Sequence, residues 1–591
     1  MYKNINLING QNESCISGDG FAYDMVVAVT QKSLNSTLKQ YITGLQKEPF
    51  YEAYNTEKEI IDYADILKAI NGNVQPGSSD YVDLFKIDAN NPNEREQKAI
   101  KIARENKLYC AIKARIGKPK DLKITEMHDV IELLTGSDEG EYVYYYAYYA
   151  EFDILLINDT GASMQHISQP KDEPWIYKYL VNLDFIQTKF EQLPGEIQEK
   201  IKEDYNEKND FDQTLSIQGL YLKLHDAIIV ERPDEILFER IDCDPETRKI
   251  VEMFFEKSYA RALCKKSEVY LGYTVKEKIY SSNLVEIRPT DYDISISEFS
   301  DPKQHDYYTL NYLTVCDNKN LPEQKRPFRW NWVDSTQTQS IDGVMAISRN
   351  KILELINSQS WAFLNDLTCN VSATCEASFA KLAFGYRITR TPAQRSYEVS
   401  GNGDNIKIEY HHYSDTKSSD TFIPVWGNIE SSYKVDSFIE LKENTIICTT
   451  DVVCYLHINI EGGVSEGNIY NHTITSTTII SVDERGSITF ETVDVVDKDN
   501  GSSFEISTWS DIVCLGIKDD INKVCQSIAN YINEGVEAYK RSLMQRFSNV
   551  NGWIFPGSKT FFFKDAIFSK GKDLTASITY RDPSTSKEEN D

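Results

Sequence analysis

Basic residues are in short supply. The chain has 63 Lys and Arg against 91 Asp and Glu, a formal net charge of −28 over 591 residues. Phosphate-rich nucleic acid and anionic bilayers repel such a chain at long range, so no nucleic-acid partner is expected. Long apolar runs are missing as well. No uncharged apolar stretch reaches 18 residues, and the opening "MYKNINLING" has no charged head leading into an apolar segment. Neither a transmembrane helix nor a secretory signal is therefore expected, and the protein should be cytoplasmic or released without a conventional signal peptide. The 11 Cys are scattered and never spaced C-x-x-C, which excludes an obvious disulfide framework or zinc site and suits reduced, buried thiols. G-x-S-x-G, G-x-x-x-x-G-K-[ST], strand-following G-x-G-x-x-G and H-E-x-x-H are all absent. No cofactor or metal is implied, and the expectation is a protein that is not an enzyme.

What is present in quantity is aromatic: 36 Tyr and 25 Phe, with hydrophobic and charged fractions of 41% and 26%. Aromatic enrichment favours strands over helical bundles, and the length is too great for one core, so two to four domains are expected. One feature is internal. "DMVVAVTQKSLNSTL" from residue 24 aligns without a gap on "DGVMAISRNKILELI" from residue 342. Asp24, Val26 and Ala28 match Asp342, Val344 and Ala346 outright. After each strand-like start the period changes: Leu34, Leu38, Tyr41, Ile42 and Leu45 form one helical stripe, as do Ile352, Leu355, Ile356 and Trp361. The same strand-then-helix unit is expected twice, each helix depending on burial of its stripe.

Between the copies, "YVYYYAYYAEFDILLI" at 142–157 reads as one over-long strand with Tyr142, Tyr144, Tyr146, Tyr148, Ala150, Phe152, Ile154 and Leu156 on one face. "WIYKYLVNLDF" is a second aromatic strand, and "PGEIQEKIKEDY" a solvated helix. Polar character and Pro302, Pro322 and Pro327 place a boundary near 287–327. Residues 1–325 then form a first unit and 326–580 a second. The second unit includes a β-rich, sandwich-like block at about 395–515, where "YLHINIEGG" alternates and stops at Gly462-Gly463. A helical period resumes at 521–547, and the polar tail 581–591 should be disordered.

Two stretches invite a catalytic or metal reading. Asp159-Thr160-Gly161 follows an apolar strand as an aspartic-protease carboxylate does, but that mechanism needs a second carboxylate and no other D-T-G or D-S-G exists. A hairpin turn is the simpler expectation. His411 and His412 are adjacent, so on a strand they face opposite ways and cannot share one ion.

Four segments together, "FAYDMVVAVTQKSLN", "FRWNWVDSTQTQSIDGVMAISRN", "SIQGLYLKLHDA" and "WIFPGSKTFFFKDAIFS", resemble TULIP-like (tubular lipid-binding) proteins. The resemblance is to those related to proteins encoded in clostridial neurotoxin gene clusters, with bacterial and fungal members. The resemblance implies an α+β fold of two tandem TULIP-like units, in which long curved antiparallel sheets wrap long helices and an apolar groove accommodates lipid. The implied function is non-enzymatic binding of lipid or another apolar ligand, or of a protein partner, as a toxin-associated accessory protein. The alternatives are a pesticidal or host-membrane-active toxin that oligomerises, with membrane contact, and more remotely an aspartic protease using Asp159. The candidate groove residues are Leu34, Leu38, Tyr41, Tyr142, Tyr144, Tyr146, Tyr148 and Phe152.

Overall fold

The two copies of the repeat are neighbours in one sheet. In the computed structural model Met25–Thr30 pairs antiparallel with Gly343–Ile347, with Met25 opposite Ile347, Val27 opposite Met345 and Val29 opposite Gly343. The alignment that equates Val27 with Met345 also exchanges the outer pairs, so a local two-fold axis passes between these two residues. Backbone bonds obey it. Thr30 N–H donates to Asp342 O (3.0 Å) and Ser348 N–H to Asp24 O (2.9 Å), while Asp24 N–H meets Thr314 O and Asp342 N–H meets Ile578 O, both at 2.9 Å. The helix starts obey it too. Thr30 Oγ1 accepts from Ser33 N–H (3.2 Å) and Ser348 Oγ from Lys351 N–H (3.1 Å), each hydroxyl satisfying an amide that its helix leaves unpaired. These are the N-caps of α1 (Gln31–Gly44) and α2 (Arg349–Leu355).

On the flanks, Thr309–Cys316 and then Pro289–Ser297 continue the sheet from Met25–Thr30. Leu574–Thr579 continues it from Gly343–Ile347, followed by Phe562–Phe563 and Ile567–Phe568. Strands from both halves of the chain therefore build one seven-stranded antiparallel sheet. Both of its faces are buried, which explains why "MVVAVT" and "GVMAI" are continuously apolar instead of alternating. Met25, Val27 and Val29 enter the main core. Val26 and Ala28 turn the other way, onto Phe21, Phe328, Trp330 and Trp332. Phe21 stacks on Phe328 (5.1 Å between centroids) and meets Trp330 edge-on (5.6 Å), so the "FAYD" and "FRWNW" segments pack together. The charged end of the sheet is sealed by Asp573, wholly buried, whose carboxylate accepts from Ser14 Oγ, Ile16 N, Ser17 Oγ and Arg349 N at 2.6 to 3.0 Å.

Among the described residues there are three further large sheets and one two-stranded sheet. A five-stranded sheet runs Ile60–Ile61, Phe50–Asn55, Leu108–Ile116, Tyr149–Ile157 and Met164–Ser168. Two helices, Tyr63–Asn71 and Glu94–Glu105, cover it through a separate core of Ile66, Phe85, Ile100, Leu155 and neighbours. A seven-stranded sheet contains Ile131–Leu133, Tyr142–Ala147, Tyr177–Thr188, Leu215–Leu222 and Tyr270–Glu277, with the short Ile228–Ile229 and Trp553–Ile554. The last is a meander of very long strands, Lys407–Phe422, Val425–Lys442, Thr445–Ile460, Gly463–Val482 and Ile488–Asp499, with a two-stranded hairpin, Cys369–Ser378 and Ala383–Pro392, laid against it.

The structure describes residues 10–135 apart from 19 and 45–47, then 141–157, 163–193 apart from 172–173, and 198–202 apart from 200. It continues with 215–222, 228–229, 270–277, 289–355 apart from 335 and 338–339, and 368–505 apart from 380–382, 394–397, 402–404, 424, 462, 484–485 and 487. Segments 553–554 and 562–579 and isolated residues at 245, 248, 249, 251, 254 and 530 complete it.

This corrects the expected α+β fold of long sheets wrapped on long helices. Among the described residues the protein is mostly β, and its helices run only 14, 9, 12 and 7 residues. Each buries one short stripe, while β-branched and aromatic residues carry much of the remaining described chain into sheets. The sandwich expected at 395–515 is also replaced by a single meander sheet with a hairpin on it. The helical period at 521–547, most of "PGEIQEKIKEDY" and the tail 581–591 lie outside the described residues.

Candidate apolar binding surfaces

The stretch read as one strand at 142–157 is two, belonging to different sheets. Tyr142–Ala147 pairs with Tyr177–Thr188, and Tyr149–Ile157 with Leu108–Ile116. The chain bends at Tyr148, whose carbonyl takes Gly117 N–H (3.2 Å) and whose hydroxyl donates to His128 O (2.9 Å). The alternation changes phase there, so the predicted face does not exist as one surface. Tyr148 and Phe152 are core, as are Leu34 and Leu38 from α1. Before the bend the core residues are Val143, Tyr145 and Ala147, and Tyr142, Tyr144 and Tyr146 are half-buried on the opposite side. Tyr41 lies in α1 with its side chain outside the described set.

That outer side is a polar aromatic network. Lys178 Nζ sits 3.7 Å over the Tyr144 ring and 3.6 Å from Glu132 Oε2, to which Tyr146 Oη donates at 2.9 Å. Burial, and then the Glu132 carboxylate, push the Tyr146 hydroxyl well above its ordinary range. A small polar cleft of about 340 Å³ opens beside α1, lined by Lys32, Asn35, Ser36, Lys39, Gln40, Ile124, Asp129 and Asp306. Asn35 is not available for glycosylation despite its N-S-T setting. Buried, it accepts from Val130 N–H and Ile131 N–H and donates to Ile131 O, pairing the edge of the Ile131–Leu133 strand.

Among the described residues the meander carries a long sheet face that is apolar on one side. Its strands of 16, 18, 16, 20 and 12 residues extend about 40 to 65 Å at ~3.3 Å per residue, several times the usual strand. Burial alternates without a break along Val425–Lys442 and Thr445–Ile460. The inner face carries Ile429, Val435, Ile439, Val452, Leu456, Ile458 and Ile460, all buried. The outer face carries polar contacts, such as those of His411 Nδ1 with Asp436 Oδ1 (2.8 Å) and His457 Nδ1 with Glu466 Oε2 (2.9 Å). Register shifts at Cys454/Tyr455 and Thr477/Thr478 are bulges of the kind that bend a long strand.

One inner strip is polar, and its purpose is visible. Val371, Ala373, Cys375 and Ala377 donate their backbone N–H groups to the side chains of Ser414, Thr416, Ser418 and Asp420, at 3.2, 2.9, 3.0 and 2.7 Å. Every second residue of one strand thus pairs, through a side chain, with every second amide of the hairpin edge laid over it. His412 extends the row by contacting Cys369 O (2.8 Å), while His411 points outward, so the adjacent histidines do face opposite ways. Asp159, Thr160 and Gly161 lie outside the described residues; the strands flanking them pair, with Ile157 opposite Met164.

Sequence reading missed one cluster. The turns of the hairpin and of two meander connections meet at one end, where Phe379, Ile423, Trp426 and Val464 are 74, 85, 42 and 40% exposed. A signal was present in "TFIPVW", an apolar turn where Gly, Asn, Asp or Ser is usual.

Comparisons with known proteins add little. No protein-family model matches the chain. No curated protein matches it. Ten solved chains match in structure. One is the crystal structure of a lipopolysaccharide binding protein, aligned over 94% of this chain and 98% of that one at 8% identity and a TM-score of 0.29. At that score the likeness carries no argument about function. A relation to clostridial gene-cluster proteins finds no support in these comparisons.

Proposed function

We propose that the protein binds lipid or another apolar ligand against the inner face of the 407–499 meander, without transforming it. The observation that supports this reading is the length of that face. Strands of five or six residues suffice for an ordinary core, whereas here a mainly apolar inner stripe, interrupted by Ser431, Ser437 and Thr450, runs through adjacent strands of 18 and 16 residues. A surface of that shape matches an extended hydrocarbon chain, and its polar groups are paired, with the hairpin amides along one edge and with one another farther in, as Ser437 Oγ is with Thr450 Oγ1 (3.0 Å) and Thr478 Oγ1 with Thr492 Oγ1 (3.1 Å). Its function would be carriage or presentation of the ligand.

The test is extraction of the purified protein with organic solvent and mass spectrometry of the extract, together with uptake of a photoactivatable phospholipid. Stoichiometric lipid, with cross-links in Val425–Lys442 and Thr445–Ile460, is expected. An extract free of lipid and no uptake would sink the proposal, and so would cross-links confined to other sheets.

A further inference from the structure

The exposed end of the meander points to a second surface. We propose that Phe379, Ile423, Trp426 and Val464 form a lip that docks the protein on an electrically neutral lipid surface. This concerns the outside of the molecule and stands whether or not the inner face holds a ligand.

The lip is built, not incidental. Asp420 accepts from Ala377 N–H at 2.7 Å, which sets the hairpin turn carrying Phe379 beside the 422–425 turn carrying Ile423. Trp426 N–H donates to Glu461 Oε1 (2.9 Å) and Glu461 N–H to Trp426 O (3.2 Å), tying that turn to the one preceding Val464. The Phe384 ring lies so close over Gly427 that a Cβ there would sit 3.1 Å from it, and Cys375 Sγ approaches Gly427 O at 3.8 Å. Three turns are thus held together, each with an apolar side chain aimed at solvent.

Size and charge decide the occupant. Four partly exposed side chains offer roughly 300 to 500 Å² of apolar surface, less than the about 800 Å² that each partner of a stable protein complex contributes. Protruding side chains that include a tryptophan suit the boundary of a bilayer, which accommodates separate apolar tips without a complementary shape. A net charge of −28 opposes an anionic surface, so the matching bilayer is zwitterionic.

Flotation of the full chain with phosphatidylcholine vesicles tests the lip. The wild type is expected to float, phosphatidylserine added to the vesicles to weaken it, and Phe379→Ser with Ile423→Ser to reduce partitioning at least tenfold. Because both side chains are solvent-exposed, the double variant should keep the wild-type unfolding midpoint and the lipid extracted from its interior. Loss of that extract would mean that the variant had disturbed the inner face and would overturn the separation of the two surfaces. No flotation of the wild type, equal flotation of the double variant, or flotation that grows with phosphatidylserine would each overturn the proposal. So would self-association of the wild type that the double substitution abolishes, because the lip would then be a protein interface.

Discussion

Replacing Glu141 by Gln removes one negative charge from the seam between the tyrosine-bearing sheet and the central sheet. Glu141 precedes Tyr142–Ala147, and Lys325 Nζ stands 4.0 Å from its carboxylate and 2.7 Å from Asp293 on the neighbouring sheet. Burial outweighs the Lys325 attraction and, with Asp293, raises the Glu141 carboxyl from 4.5 to about 7. The sign follows from proton counts. Below about pH 4.5 both folded and unfolded chains hold the proton. Between there and about pH 7 the unfolded chain has lost it while the folded chain keeps it, so stability falls as pH rises through that window. At about 1.4 kcal/mol per pH unit the loss is at most about 3 kcal/mol, an upper bound because the side chain is 20% exposed. Glu141→Gln has no such loss. Denaturant unfolding followed by tryptophan fluorescence at pH 5 and pH 8 should show the variant gaining about 2 to 3 kcal/mol on the wild type between the two. The reasoning is refuted if the variant is the less stable protein at pH 8, because the Lys325 pairing would then exceed the cost of burial.

Asp573→Ala should cost more than 3 kcal/mol, since four donors converge on that carboxylate and each buried donor left unpaired costs about 1 to 3 kcal/mol; a thermal melt within a degree of the wild type would contradict it. Gly343→Ala should disrupt the central sheet, because a Cβ there would lie 2.2 Å from Ala28 O; soluble yield and the near-ultraviolet spectrum report it. Thr416→Val leaves Ala373 N–H without its acceptor and should cost about 1 kcal/mol. Hydrogen exchange should then quicken at Ala373 more than at the neighbouring amides of the hairpin edge.

Local periodicity made the strand-to-helix units legible, with Leu34, Leu38, Ile42 and Ile352 of the expected stripes buried, because hydrophobic spacing is a local quantity; Leu45, Ile356 and Trp361 lie outside the described residues. The matched aspartates and the Thr30/Ser348 pair were visible as letters. Their roles were not, because a cap or a cross-strand bond depends on what lies opposite. The tyrosine strand failed for a related reason. Composition made 142–157 look uniform, yet Tyr148 is fixed by Gly117 and His128, residues that periodicity cannot weigh. Prolines and polarity marked a boundary near residues 287–327, and spacing alone did not show that Pro289–Ser297 and Thr309–Cys316 within it are central-sheet strands. The "YHHYSDTKSSDT" stretch was read only for its histidines, because its alternating hydroxyls acquire meaning only under the hairpin edge they serve. The lip was within reach, since an apolar turn contradicts ordinary turn chemistry.

The axis between Val27 and Met345 has a consequence for how the protein is made. Met25–Thr30 leaves the ribosome well before its partners Thr309–Cys316 and Gly343–Ile347 emerge, and Gly343–Ile347 is itself an open edge until Leu574–Thr579 appears. At roughly 5 to 20 residues per second, the first strand waits about half a minute to two minutes for the last to be synthesised. Until then an apolar strand edge is exposed to other nascent chains. Native yield should therefore depend on translation speed and on holding chaperones more than on the stability of the finished sheet.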